Sequence, residues 1–274
     1  METSKENIST YTVFSPKGGV GTSTIAVNLA ISLQKLLQED VLLIDGKHLF
    51  GHLALYCNIR TNNSITDLIA RAGSLDAHLI RQVVEKHNSG IYVLPSPVSI
   101  VEAQGIQAKD LFKVLQSLQS VFPYIVIDGG NHLNENTVTY MDISDQILLV
   151  LNPDLASMRD VRQFLDLSIS TLSYPKEKTL LTINFSGRKE DIKKDEIEKI
   201  LKKEIFGTIP SDANLALSSI NEGVPLILKK PRHPISKAIN EIAKALINLL
   251  PDAIEGDSNK RNAKKKIKKV EEIN

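Results

Sequence analysis

Gly18, Gly19 and Gly21, followed at once by Thr22, Ser23 and Thr24, carry the strongest chemical signal in the sequence. Glycines at this density let backbone N–H groups turn inward around an anion, and a helix starting directly behind them adds the positive end of its dipole. The ligand class this chemistry serves is a phosphate. In the pattern G-x-x-x-x-G-K-[ST] the final hydroxyl binds a divalent cation, and Ser23 stands at that place. Two positions depart from the pattern, with Pro16 at its first glycine and Thr22 at its lysine. Taken alone, the loop also reads as an ordinary glycine-rich turn between a strand and a helix.

Two acids add to the loop. Asp45 ends the apolar run Val41-Leu42-Leu43-Ile44, and Asp128 ends Ile125-Val126-Ile127. Mg2+ keeps several of its waters and is held through one or two carboxylates together with phosphate oxygens, so this pair beside Ser23 supplies suitable ligands. Either acid by itself reads equally well as a helix N-cap or turn residue. Their combination with the loop points to a bound nucleotide.

These residues need a frame that brings strand ends together. Short continuous apolar runs recur at Thr12–Phe14, Val41–Ile44, Ile91–Leu94, Ile125–Ile127, Ile147–Leu151, Leu180–Ile183 and Ile205–Ile209. Runs of this length without polar alternation mean burial on both faces, as in a parallel sheet. Helical patterns lie between them, among them Ile25, Leu29, Leu33, Leu36 and Leu37, then Leu111, Val114, Leu115, Leu118 and Phe122, then Val161, Phe164, Leu165, Ile169 and Leu172. The expected fold is α/β, a doubly wound and mostly parallel sheet whose ligand site lies at the carboxyl ends of its strands. With 274 residues, 42% of them hydrophobic, one domain over residues 10–250 is expected, between a polar arm at 1–9 and a basic tail at 251–274.

Lys17-Gly18-Gly19-Val20-Gly21 with its two following hydroxyl residues, then Asp45, then Tyr124-Ile125-Val126-Ile127-Asp128, resembles the deviant Walker A P-loop ATPases of the ParA/MinD group. Further likeness lies in Ser64-Ile65-Thr66-Asp67-Leu68, Asn152-Pro153-Asp154, Asn184, Ile209-Pro210-Ser211-Asp212 and Asn221-Glu222-Gly223-Val224-Pro225. The Gly-x-Ser-Thr end of the loop and Phe50-Gly51-His52-Leu53-Ala54-Leu55-Tyr56 look most like the TadZ/CpaE branch, which positions Flp/Tad pilus machinery. That branch usually carries a receiver-like domain ahead of the ATPase, for which this sequence has no room. The resemblance implies ATP and Mg2+ as cofactors and a homodimer formed with ATP. It assigns Lys17 to the phosphates of the opposite subunit, and Gly18, Gly19, Val20, Gly21, Thr22, Ser23 and Thr24 to the bound nucleotide. Ser23, Asp45 and Asp128 fall to the metal, with the two acids acting through water. Asn184, Pro210, Ser211 and Asp212 fall to the adenine, and Asp154 to the opposite ribose.

Two departures from the family pattern bear on turnover. Thr22 replaces the lysine that neutralises the nucleotide's own phosphates, and Lys47 replaces an acid that helps place the attacking water. Phosphoryl transfer rests on positioning and charge stabilisation, so hydrolysis should suffer more than binding. One lost charge-assisted hydrogen bond costs about 1.5–3 kcal/mol, which is a weakening and not an abolition. Lys47 is expected to restore part of the positive charge missing at Thr22. The expectation is an ATP-dependent switch that hydrolyses slowly or not at all and positions a pilus or other polar assembly. The alternatives are an active partition or septum ATPase that binds DNA or membrane, and a scaffold that has dropped the nucleotide.

Other residues point to less. His48, His52 and Cys57 lack a fourth ligand at metal spacing and are read as solvent-facing, while His78 and His87 are read as surface or packing residues. No signal peptide and no apolar run of spanning length is present, so a cytoplasmic protein is expected, with peripheral attachment at the inner membrane face as an option. Of 33 basic residues seven fall between Lys260 and Lys269, which leaves 26 basic against 32 acidic residues elsewhere. Any attraction to anionic membrane or DNA is therefore assigned to a local patch or to the tail, and the default for the tail is solvated disorder. Ending the chain at Pro251 is expected to lower binding to anionic liposomes or DNA at low salt. The difference should shrink at about 0.15 M salt, where screening limits reach to roughly 8 Å. Equal binding by both chains in a flotation or gel-shift assay would return the tail to solvent.

Overall fold

Every one of the seven apolar runs becomes a strand of a single sheet. The computed structural model describes residues 8–187 and 191–250, so residues 1–7 of the expected arm and all of the expected basic tail lie outside the described residues. The strands are β1 (Ser9–Phe14), β2 (Val41–Asp45), β3 (Glu85–Lys86), β4 (Tyr92–Leu94), β5 (Tyr124–Gly130), β6 (Gln146–Leu151), β7 (Thr179–Ser186) and β8 (Ile205–Pro210). They lie in the order β3-β4-β2-β5-β1-β6-β7-β8. All neighbours are parallel except β3, which runs antiparallel to β4. The two-residue β3 was not anticipated, because a polar Glu-Lys pair at the edge carries no strand signal.

Twelve helices cover the two faces among the described residues: α1 (Thr22–Leu37), α2 (Leu53–Tyr56), α3 (Ile65–Ile69), α4 (Ala77–Val83), α5 (Ile100–Gln104), α6 (Ala108–Gln119), α7 (Glu135–Ile143), α8 (Leu155–Ser170), α9 (Lys194–Leu201), α10 (Ala213–Glu222), α11 (Leu226–Lys229) and α12 (Pro234–Asn248). The sequence of β2 shows why both faces are needed. Val41 and Leu43 enter a core with α1, α11 and α12, whereas Leu42 and Ile44 enter a second core with α3, α4 and α6. Side chains along a strand alternate between faces, so an unbroken apolar run must feed two cores. A third core beneath β6 and β7 joins Leu149, Leu151 and Leu181 to α8 and α9.

The order of strands fixes where a ligand can sit. From β1 the chain crosses by α1 to β2 on one side, and from β5 it crosses by α7 to β6 on the other. Connections that leave in opposite directions open a crevice at the carboxyl ends of the central strands. Phe14, Asp45 and Asp128 stand at or near the ends of β1, β2 and β5, on the rim of that crevice. Leu43→Ala on β2 should lower stability by about 2–5 kcal/mol. Leu49→Ala, on a side chain 43% exposed just past the strand, should stay within about 0.5 kcal/mol. Urea titrations of both variants check this, and equal losses would contradict the placement of Leu43 in the core.

Candidate functional site

The loop after β1 is held open by its backbone. Gly19 and Gly21 have φ of 76° and 91°, left-handed values that cost a side chain dearly. Gly21 is doubly constrained, since a Cβ there would lie 2.5 Å from the Asn184 amide nitrogen. That amide donates to Val20 O at 2.7 Å, and the Lys17 N–H donates to Ser15 Oγ at 3.2 Å. Helix α1 begins at Thr22 with no side-chain cap, unlike α8 and α10, which Asp154 and Asp212 cap. The first N–H groups of α1 therefore lack a side-chain acceptor of the kind that an anion would supply. Thr22 and Ser23 are buried just behind the loop, while Thr24 lends its carbonyl oxygen to Asn28 Nδ2 at 2.7 Å.

Beside the loop lies a charged corner. Asp45 and Asp128 face each other in register across β2 and β5, and both are buried. Asp45 accepts from Leu53 N at 3.0 Å and Lys47 N at 3.2 Å. Asp128 accepts from Gly130 N at 3.2 Å and from the Ser23 hydroxyl. Burial, reinforced by the charge of Asp128, pushes the Asp45 carboxyl up to about 7 against the pull of those N–H groups and of Lys47.

Lys47 completes the corner. Its Nζ donates to Ser23 Oγ at 2.6 Å and lies 3.3 Å from Asp128 Oδ2. Ser23 and Asp128 are the groups expected to serve Mg2+, and an ammonium is hydrogen-bonded to the first and ion-paired with the second. A dication placed between them would meet a like charge at contact distance in a site screened little by solvent. As arranged, these residues do not fit the metal ion. Among the described residues, no group of three or more His, Cys, Asp or Glu could hold one either.

The remaining expected residues line the same rim. Lys17 Nζ binds both carboxylate oxygens of Asp154, at 2.9 and 2.8 Å, within the one chain. Asp154 also caps α8 by accepting from Ser157 N at 2.8 Å. Partial burial opposes ionisation of Asp154, yet the bonds from Lys17 and Ser157 outweigh it and hold the carboxyl below its ordinary 3.8. At the end of β8, next to Pro210, Ser211 N donates to Ser186 O at 2.9 Å. Asp212 accepts from Leu215 N at 2.9 Å and lies 3.3 Å from His233 Nε2.

Sequence reasoning overlooked some neighbours and misplaced others. The Asn131 amide lies 3.1 Å from where a Cβ on Gly18 would be, and Gly130 lies beneath the stem of Lys47. The only signal for either was their position just after Asp128. Cys57 is buried rather than solvent-facing, and burial pushes its thiol up to about 12, with Asp45 adding to the effect. His48 bonds through Nε2 to the Tyr140 hydroxyl at 2.7 Å, and burial lowers its pKa to about 4. His52 is exposed as expected. His78 is exposed and His87 is buried.

Comparison with known proteins gives the same picture from outside. A family model described as an AAA domain matches residues 8–182. An uncharacterised ATP-binding protein of Methanocaldococcus jannaschii is 28% identical over 240 residues, covering 86% of each chain. The septum site-determining protein MinD of Thermotoga maritima is 27% identical over 241 residues, covering 85% of this chain and 86% of its own. A solved ParA family ATPase from Chlorobium tepidum superposes with a TM-score of 0.81 at 26% identity, covering 86% of this chain and 98% of the other.

The depressed carboxyl of Asp154 yields a test. A group whose folded pKa lies below its unfolded value stabilises above the unfolded value and loses that contribution as pH falls through the folded one. Asp154→Asn keeps a competent cap and removes the charge. It should destabilise the chain slightly at neutral pH, and the deficit should vanish well below pH 3.8. Denaturant titrations across that range would contradict the ion-pair account if they gave a constant deficit.

Proposed function

The chain belongs to the AAA domain family, among the ParA/MinD-type P-loop ATPases, and from that membership we propose an ATP-dependent switch that dimerises and positions a cellular assembly. One observation carries the reading: an uncapped helix behind a glycine loop meets Ser23, Asp45 and Asp128 at a single corner of the rim. A scaffold without nucleotide would gain nothing from burying two carboxylates there, since taking charge out of water is costly even when it is paired.

The nucleotide's phosphates lie against the N–H groups of Gly18 to Thr24, with Asn184 bracing the loop from behind through Val20. The end of β7 and the Pro210–Asp212 segment, joined by the Ser211–Ser186 bond, form the wall for the base. Lys17 serves a second subunit. Its present partner, Asp154, is 38% exposed, and ion pairs of this kind are worth about 0–1 kcal/mol. Exchanging Asp154 for a phosphate across a dimer interface therefore costs little. Hydrolysis is slow, because Thr22 brings no charge to the phosphates and Lys47 cannot act as the acid that places water. Magnesium, which the resemblance also implies, finds Ser23 and Asp128 engaged by Lys47.

For the cargo, the Phe50–Tyr56 segment and the loop ending at Thr24 favour Flp/Tad-type pilus machinery. The identity to the septum site-determining protein MinD of Thermotoga maritima favours septum positioning instead. No helix among the described residues is long and apolar enough to cross a membrane, and attachment through the basic tail remains part of the proposal. In sedimentation, wild type should dimerise more with ATP than with ADP, and Lys17→Ala should lose the difference. An identical monomer in all four samples would overturn the switch.

A further inference from the structure

We infer that the ammonium of Lys47 stands in for the divalent cation, so that the chain holds the terminal phosphates of a nucleotide without Mg2+. The inference rests on the proposed ATP site and concerns what neutralises the phosphates within it.

The placement of Lys47 is built. Asp45 ends β2, and two residues on, the stem of Lys47 turns back across Gly130. A Cβ on Gly130, whose φ is 65°, would lie 2.8 Å from Lys47 Cγ and 3.3 Å from Cδ. Only glycine leaves that track open while also accepting a left-handed backbone. The track ends at Ser23 Oγ, 2.6 Å from Nζ, and at Asp128 Oδ2, 3.3 Å from it. The Lys47 side chain is 25% exposed and that of Asp128 only 1%, so the pair is set into the wall of the corner.

The chemistry follows from the donor count. An ammonium carries three N–H donors and accepts nothing. Ser23 takes one of them, Asp128 lies 3.3 Å away as the counter-charge, and a further donor can serve a phosphate oxygen. Ser23 thus keeps the place in which a hydroxyl would bind a cation, but the cation is covalently part of the chain. Lysine is a compact point charge suited to phosphate, and this one makes up for the lysine missing at Thr22. A single positive charge holds phosphate without the coordinated waters and the second charge that favour phosphoryl transfer. Retained binding with slow turnover is the consequence.

The test is ATP affinity of the full chain by calorimetry, with Mg2+ and with EDTA, for wild type and for Lys47→Arg, Lys47→Met and Lys47→Asp, each first shown to melt cooperatively. Wild type should differ by less than about threefold between the two conditions. Lys47→Arg should behave alike. Lys47→Met should lose about ten- to hundredfold in EDTA. Lys47→Asp should gain a Mg2+ dependence of about tenfold or more. A wild type that weakens about tenfold or more in EDTA, or a Lys47→Met chain that binds in EDTA as wild type does, overturns the inference and leaves the ATP site standing. A wild type that binds ATP in neither condition overturns both. If Lys47→Asp fails to fold, the arginine and methionine variants still decide the matter.

Discussion

Two carboxylates buried side by side are the constraint on which the rest of the structure depends. Asp45 ends β2, and Asp128, two residues before the end of the neighbouring parallel β5, is in register with it, so the sheet itself fixes them about 4.8 Å apart along the hydrogen-bonding direction. Groups so placed cannot both carry charge without compensation. Each compensating group makes a demand on the fold. Leu53 N must return to Asp45, which requires the segment after β2 to fold back into α2. Ser23 must lie in the first turn of α1, and Gly130 must clear the track by which Lys47 arrives.

The rim therefore carries two lysines in different situations. The carboxylates that hold them differ more than the lysines do. Asp154 is over a third exposed and exchanges with solvent at small cost, whereas Asp128 is sealed and would be left as an unpaired buried charge if its lysine departed. A movable contact at Lys17 beside a fixed one at Lys47 gives a site that can respond to a second subunit while keeping its own charge balance.

How much of this was legible in the sequence depends on the range of the interaction. Val41 to Ile44 and Ile125 to Ile127 announce their strands because burial on two faces leaves no polar residue in the run, and the loop announces itself because Gly19 and Gly21 must be glycine. The acids at the strand ends follow from the same runs. The Lys17–Asp154 pair did not, since 137 residues separate its members and only the adjacency of β1 and β6 joins them. The path of Lys47 was hidden too, because spacing locates a Cα and says nothing of where a four-carbon stem turns. Cys57 escaped because grouping it with His48 and His52 masked an i, i+4 relation with Leu53 that puts both side chains inward.

The central place of β1 also has a consequence for how the chain comes into being. Its neighbours in the sheet are β5 and β6, whose partner residues begin at Tyr124 and Gln146, so the first described strand to leave a ribosome has nothing to pair with until nearly half of the 274 residues have been made. Contacts of such sequence separation are slow to form, and domains in general fold as units. The glycine loop thus has no frame, and the acid corner no second strand, in any nascent chain that stops before β5. A nucleotide would then meet its site only in a chain that extends past β5, and a fragment aborted before that strand would not sequester it.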